Sequence, residues 1–134
     1  MAIEYDNAYA QALARRREQI FELMARACAQ AGRNPADVTV CAVSKTVDVP
    51  EVMAARTAGY TDFAENRPQE LERKLGLVAG DPAFEGVRWH MIGNLQENKI
   101  NHVLACHPCL VHSISSAKLA QAVSKRAVAA GIVQ

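Results

Sequence analysis

The feature that most limits the fold is a repeated order, in which one short apolar run is followed by one helical pattern. Four such runs, at residues 38–43, 60–64, 87–92 and 109–114, begin about 22 to 27 residues apart. A long amphipathic pattern, residues 3–31, precedes them and predicts a first helix. Strands separated by helices pair in parallel through right-handed crossovers, so the order predicts an α/β protein with a parallel sheet.

Two architectures satisfy this order, a doubly wound open sheet or a partial (β/α) TIM-type barrel of about four parallel strands preceded by a long N-terminal helix. Residues 38–43 lack polar alternation, which is typical of a strand covered on both faces, so the first strand is expected in the sheet interior. Residues 132–134 could begin a fifth strand. No linker interrupts the pattern, and residues 1–134 are therefore expected to form a single domain.

Capping residues fix where several helices begin. Asp48 and Glu51 form a capping-box pattern around Pro50, and either Ser115 or Ser116 precedes the last helix. Asn66 stands before Pro68 and is a candidate cap for the third helix. The helices are therefore expected to begin just after the predicted strands end.

Composition excludes several classes of partner. The 134 residues carry 15 Lys and Arg against 14 Asp and Glu, so no strong field of one sign would attract nucleic acid or an anionic membrane. No segment reaches the roughly 20 apolar residues that cross a bilayer, and the first residues lack the pattern of a signal peptide. A cytoplasmic location and four reduced cysteines are expected.

Polar residues follow each predicted strand. In both candidate architectures ligands gather where parallel strands end, beside the free N–H groups of helix N-termini. The residues that this rule brings to one edge are Lys45, Glu65, Asn66, Gly93, Asn94, Ser113 and Ser115.

Lys45 ends an apolar strand and admits two interpretations. A lysine amine, with an ordinary pKa of about 10.4, must lose its proton before it can attack a carbonyl, and burial favours that neutral form. Such an amine suits Schiff-base formation with an aldehyde, most commonly pyridoxal phosphate. The alternative is a strand-end lysine that extends into solvent, as most lysines do.

Three segments carry a family resemblance. VCAVSKT, FAEN and WHMIGNLQENK occur in this order, each at the end of a predicted strand, and together resemble the pyridoxal phosphate homeostasis protein family. The third segment is the most specific, with matching positions at His90, Ile92, Gly93, Leu95, Gln96, Asn98 and Lys99. The resemblance covers nearly the whole chain and implies the fold of the alanine racemase N-terminal barrel.

The resemblance implies a function and three site residues. Lys45 would hold pyridoxal 5'-phosphate as a Schiff base, Asn66 would lie beside the pyridine ring or its substituents, and His90 would face the cofactor pocket. The implied role is cofactor binding in intracellular pyridoxal phosphate homeostasis, with no robust turnover and no catalytic residue.

Structural interpretations compete for the same residues. Asn66 could cap the third helix, His90 could be a hydrogen-bonded core histidine, and Glu65 could be an ion-pair partner. The sequence also departs from the family pattern twice. Val47 replaces a second lysine that is common there, and Ala64 replaces glycine.

The length of the chain predicts a partial fold. A complete β/α barrel needs roughly 250 residues, and its phosphate site usually follows the seventh and eighth strands. The sequence is therefore expected to be the N-terminal half of a barrel. Exposed edges of such a half could pair with another chain, so self-association is expected.

An amino-acid racemase of the alanine type is the alternative enzyme. Racemisation needs a second acid or base, often a tyrosine, on the substrate face opposite the lysine. The tyrosines are Tyr5, Tyr9 and Tyr60, and none follows a predicted strand.

Zinc binding is a third class of function. The pattern H-x3-C-x2-C-x2-H supplies four candidate ligands, namely His102, Cys106, Cys109 and His112. Cys109 and His112 would point to opposite faces of a strand, so packing roles are expected and no metal is assigned.

Overall fold

A computed structural model describes residues 2–134, which form a four-stranded parallel sheet with helices between the strands. The helices are α1 (Asn7–Gln30), α2 (Val49–Thr57), α3 (Pro68–Val78), α4 (Ile100–Ala105) and α5 (Ala117–Ala130). The strands are β1 (Ala42–Val43), β2 (Asp62–Glu65), β3 (Arg88–Met91) and β4 (Leu110–Val111), in spatial order β1-β2-β3-β4. The predicted partial (β/α) barrel, with four parallel strands and a long N-terminal helix, is confirmed.

The strand register assigns each side chain to one of two faces. Phe63 pairs with Ala42 and Trp89, and Glu65 pairs with Met91, so these residues share one face, here called the helix face. The opposite face, here called the inner face, carries Val43, Asp62, Ala64, Arg88, His90 and Leu110.

The hydrophobic core lies between the helix face and the helices. The rings of Phe63 and Trp89 lie 5.6 Å apart between centroids, and α2, α3 and α4 cover them. Buried side chains contributed by those helices include Val52, Leu71, Ile100 and Val103. On the inner face, Val43 and Leu110 are 52% and 54% exposed, whereas Asp62, Ala64 and His90 are buried.

The first strand differs from its prediction. β1 contains two residues rather than six and pairs only with β2, so it is an edge strand and the expected interior position is wrong. The apolar run that suggested burial on both faces packs against the core through Val40 and Ala42. Val43 lies on the inner face and is exposed.

Other boundaries also shift. Residues 132–134 form no strand, so the expected start of a fifth strand is wrong. In α1 the predicted apolar stripe is only partly buried, since Ile20 and Leu23 are exposed while Ala10 and Cys28 are buried. Within residues 2–134, no helix combines the length and apolar character needed to span a membrane.

The predicted capping box at the start of α2 is confirmed. The Asp48 carboxylate accepts a hydrogen bond from Val49 N at 2.8 Å, and Glu51 accepts one from Asp48 N at 3.0 Å. Asp48 also pairs with the Arg73 guanidinium of α3 at 2.7 Å. The cap therefore fixes the point at which the chain leaves the turn after β1 and enters α2.

Replacing Asp48 tests this cap. Asp48→Ala removes the acceptor for the first helical N–H groups and is expected to lower the free energy of unfolding by about 1 kcal/mol in urea titration. Asp48→Asn keeps a capping oxygen and is expected to lose only a few tenths of that amount, because the exposed pair with Arg73 contributes little. Equal losses in both variants would assign the stability to the ion pair instead.

Candidate functional site at the carboxyl edge of the sheet

A cavity of about 380 Å³ opens where β2 and β3 end and α3 begins. Its polar lining includes Asn66, Asn94, Gln96 and Lys99. Its volume lies within the range of small-molecule sites, and these amide and ammonium groups can orient a polar or anionic ligand. The cavity occupies the carboxyl edge that the strand order predicted.

Gly93 shapes one wall of this cavity. Its φ of +81° lies in the left-handed region, which glycine adopts without strain. A Cβ atom added at Gly93 would lie 3.2 Å from Cβ of Asn66, so a side chain there would also crowd its neighbour. Glycine thus lets the turn after β3 approach Asn66 closely.

Asn66 is an exposed residue of the cavity wall and does not cap α3. The N-cap of α3 is Arg67, which makes no capping hydrogen bond through its side chain. The interpretation of Asn66 as a helix cap is therefore wrong. Its predicted contact with a cofactor stays a prediction.

Lys45 lies in the turn that follows β1, as the sequence predicted. It is exposed, and its amine makes no hydrogen bond or ion pair with another residue of the described range. Neither Lys45 nor His90 lines the cavity that contains Asn66. The structure of this chain therefore does not gather the three predicted site residues into one pocket, and their cofactor roles remain predictions.

The backbone of the turn that carries Lys45 is held at both of its ends. Ser44 N donates to Ala64 O of β2 at 2.9 Å, and Val47 N donates to Ser44 O at 3.2 Å, which closes the turn. The ammonium of Lys74, on α3, donates to Ser44 O at 2.8 Å and to Val47 O at 2.7 Å. Lys45 thus extends from a fixed segment of backbone.

Glu65 is the ion-pair partner of Lys74, which confirms one of the alternatives drawn from the sequence. Both side chains are only 1% exposed, and Ser44 Oγ donates a further hydrogen bond to Glu65 Oε1 at 2.8 Å. Glu65 Oε2 is buried and has no hydrogen-bond partner within residues 2–134.

Sequence reasoning missed Lys74, although its spacing carried a signal. Lys74 stands three residues after Leu71 and four before Val78, on the stripe of α3 that is buried. A lysine on an apolar stripe, with a glutamate at the end of a neighbouring strand, indicates a buried ion pair. Because lysine side chains are generally exposed, the general rule does not predict a buried position for Lys74.

His90 belongs to a chain of polar groups on the inner face. It is buried, its Nε2 lies 2.9 Å from Asp62 Oδ1, and its Nδ1 lies 2.9 Å from His112 Nε2. When His90 is neutral, Nε2–H donates to the carboxylate and Nδ1 accepts from His112. This is the hydrogen-bonded histidine that the sequence offered as an alternative, now with a named partner on each side.

Asp62 is the anion of this chain. Burial opposes its ionisation, but hydrogen bonds from His90, Thr61 and Arg88 outweigh that effect and hold the pKa of the carboxyl group below its ordinary value. Burial, reinforced by the nearby Asp62 charge, raises the pKa of the Cys41 thiol to about 11. Cys41 therefore stays protonated at neutral pH.

The candidate zinc ligands have separate partners. His102 contacts Glu72 at 2.7 Å, His112 contacts His90, and Cys106 donates to a backbone carbonyl. The described part of the chain contains no group of three or more His, Cys, Asp or Glu side chains that could hold a metal ion. All four cysteines are free.

The tyrosines occupy different parts of the fold. Tyr5 precedes α1, and Tyr60 lies before β2 at the opposite end of that strand. Tyr9, on α1, lines a cavity of about 290 Å³ together with Val43, Ser44 and Val47, so it lies near the turn that carries Lys45.

These features define the class of protein: an α/β chain that forms part of a parallel strand–helix barrel, with a polar cavity and a lysine-bearing turn at the carboxyl edge. No protein-family model matches the chain. The pyridoxal phosphate homeostasis protein of Pseudomonas aeruginosa is 40% identical over 112 residues, which cover 81% of this chain and 46% of that protein. The chain is thus similar, over most of its own length, to pyridoxal phosphate homeostasis proteins of several bacteria.

Two solved structures resemble the chain. An unknown protein from Bifidobacterium adolescentis gives a TM-score of 0.85 at 36% identity, over 98% of this chain and 56% of that one. PipY of Synechococcus elongatus, in a structure with PLP bound, gives a TM-score of 0.65 at 30% identity, over 81% of this chain and 49% of that one. The chain spans about half the length, or less, of the curated relatives it matches.

The charge of Asp62 can be tested through pH. Because its pKa is lower in the folded chain than in the unfolded chain, Asp62 contributes stability that is fully present above about pH 5 and is lost as the pH falls below about 4. Asp62→Asn is expected to cost about 1–3 kcal/mol of unfolding free energy at pH 7 and less at pH 3.5, measured by urea unfolding.

The exposed Asp37 provides the control for this experiment. No side-chain hydrogen bond to its carboxylate occurs within residues 2–134, so Asp37→Asn should change stability little at either pH. If Asp62→Asn lowered the free energy of unfolding equally at both pH values, its effect would come from the changed shape of the side chain rather than from the lost charge.

Proposed function

We propose that this chain is the N-terminal half of an alanine racemase-like barrel that binds pyridoxal 5'-phosphate and serves intracellular pyridoxal phosphate homeostasis. Lys45 holds the cofactor as a Schiff base, without robust catalytic turnover. The observation that carries the proposal is the exposed amine of Lys45 in a fixed turn at the carboxyl edge. The names of the relatives and the PLP bound to PipY support it.

The residues present fit such a cofactor. PLP supplies an aldehyde that reacts with a primary amine. The Lys45 amine is exposed, so an aldehyde in solution can reach it. Lys99 and the amides of Asn66 and Gln96 line the neighbouring cavity and suit an anionic, polar molecule.

Each predicted site residue has a distinct part in this proposal. Lys45 supplies the amine that loses its proton. Asn66 offers a side-chain amide from the cavity wall to the substituents of the ring. His90 acts from the inner face, which a closed barrel turns toward its interior, and its hydrogen bonds to Asp62 and His112 fix the orientation of its ring.

Trapping at Lys45 tests the proposal directly. Pyridoxal phosphate is added to the folded chain, sodium borohydride reduces the C=N bond to a stable secondary amine, and peptide mass spectrometry locates the adduct. Lys45 is expected to carry most of the adduct, and Lys45→Ala should abolish that peptide signal.

Lys125→Ala is the matched control, because Lys125 is also exposed but lies in the second half of α5, away from the helix N-terminus that follows β4. It should leave the adduct at Lys45 unchanged. An adduct spread evenly over the exposed lysines, or absent from Lys45 in folded protein, would contradict the proposed function.

We also propose that the chain self-associates through the edge that β4 leaves open. Leu110, Ile114 and Val128 expose apolar side chains around a groove of about 450 Å³ beside this strand. β4 pairs only with β3, so its outer backbone groups are available to another strand. A second copy of the chain offers the same apolar edge.

Light scattering at micromolar concentration tests self-association. The chain is expected to exceed its monomer mass of 14.6 kDa. Leu110→Lys should shift it toward the monomer, because the charge would be buried in the contact. Leu77→Lys is the control, since Leu77 is similarly exposed at 57% but lies on α3. A monodisperse monomer of the original sequence would refute the proposal.

A further inference from the structure

Lys74 is a buried lysine with a full set of acceptors, and the function proposed above does not use it. Its three ammonium hydrogens match three oxygen acceptors, namely Ser44 O at 2.8 Å, Val47 O at 2.7 Å and the carboxylate of Glu65. The side chain is only 1% exposed. A lysine buried on the core side of a helix is unusual and needs such partners to remain charged.

The two carbonyl acceptors bracket Lys45 and Thr46. They belong to the first and last residues of the turn, whose own hydrogen bond runs from Val47 N to Ser44 O. A single cation on α3 therefore holds the backbone on both sides of Lys45. This contact ties the turn after β1 to a helix that starts after β2.

Glu65 makes this arrangement electrically neutral. Its carboxylate compensates the Lys74 charge, and Ser44 Oγ fixes the same carboxylate oxygen at 2.8 Å. Lys74 therefore adds no unbalanced positive charge beneath the neighbouring amine. Its effect on Lys45 has to act through the geometry of the turn.

We propose that Lys74 is a positioning residue for Lys45: its ammonium fixes the turn at residues 44–47 and so sets the direction in which the Lys45 amine leaves β1. The effect on cofactor binding rests on the function proposed above. The effect on the turn is independent of that function, and it can be measured without a cofactor.

Two variants separate positioning from general stability. Lys74→Met with Glu65→Gln removes both buried charges and the two hydrogen bonds to the turn. Glu65→Gln alone keeps the ammonium on Ser44 O and Val47 O and retains an acceptor oxygen at position 65. Only the double variant is expected to release the turn, although both variants lose the ion pair.

Hydrogen exchange measures the turn itself. In the double variant, peptides that cover residues 44–48 are expected to exchange about tenfold faster or more than in the original chain, while α5 peptides stay unchanged. Glu65→Gln should keep the slow exchange. Unchanged exchange at residues 44–48 in the folded double variant would overturn the proposal. If Glu65→Gln does not fold, as circular dichroism would show, the double variant is compared with the original chain and with α5 as its internal reference.

Borohydride trapping measures the consequence for the amine. The amine nitrogen bonds to the aldehyde carbon, water leaves, and hydride then adds to that carbon. The yield at Lys45 is expected to fall about tenfold in the double variant and to change little in Glu65→Gln. Equal yields in the original chain and the double variant would overturn the positioning of the amine.

The two proposals fail in different ways. No adduct at Lys45 in the original chain contradicts the cofactor proposal, whereas the exchange experiment still tests Lys74. An adduct at Lys45 that persists in the double variant, with unchanged exchange, contradicts the positioning role alone.

Discussion

The buried ion pair between Lys74 and Glu65 is the interaction on which the carboxyl edge depends. It joins three elements that are distant in sequence: the turn after β1, the end of β2 and the middle of α3. Burying two charges is costly, and the cost is offset only where hydrogen bonds satisfy the charged groups. Lys74 meets this condition with three acceptors, while one oxygen of Glu65 has no partner within residues 2–134. Removing either partner alone would leave a buried charge, so the pair ties the local fold to the turn that bears Lys45.

The alternation of side chains along parallel strands explains why the sheet carries polar groups on both faces. On the helix face, Glu65 follows Phe63 at the point where the apolar core gives way to the turn. On the inner face, Asp62 and His90 are buried polar residues of β2 and β3 that are joined by a hydrogen bond. Short strands thus place a charged network only two residues from the hydrophobic core. The same sheet carries the apolar core on one face and a hydrogen-bonded chain of polar groups on the other.

The sequence predicted the order of elements and the position of the site better than it predicted local detail. The order of elements and the start of α2 were predicted correctly, because the strand–helix spacing and the capping box at Asp48 each depend on residues that are close in sequence. The edge position of β1 was not predictable from an apolar run, since a strand beside an open edge and an interior strand can have the same composition. Asn66 has the residue type of a cap, yet the N-cap of α3 is the next residue, Arg67, and Asn66 lies beside Gly93 instead. Lys74 could be recognised only by combining the stripe of α3 with the end of β2.

The exposure of Lys45 links the open inner face to the proposed chemistry. A lysine amine surrounded by water remains protonated near neutral pH, and a low-dielectric surrounding favours the neutral form that reacts with an aldehyde. The described residues fix the backbone on both sides of Lys45 but leave its side chain exposed. Positioning and covering of the amine are therefore separate tasks. The ion pair beneath the turn performs the first. A group that packs over the Lys45 side chain would add the second and raise the reactivity of the amine, because an amine in water is mostly protonated whereas a covered one favours the neutral form.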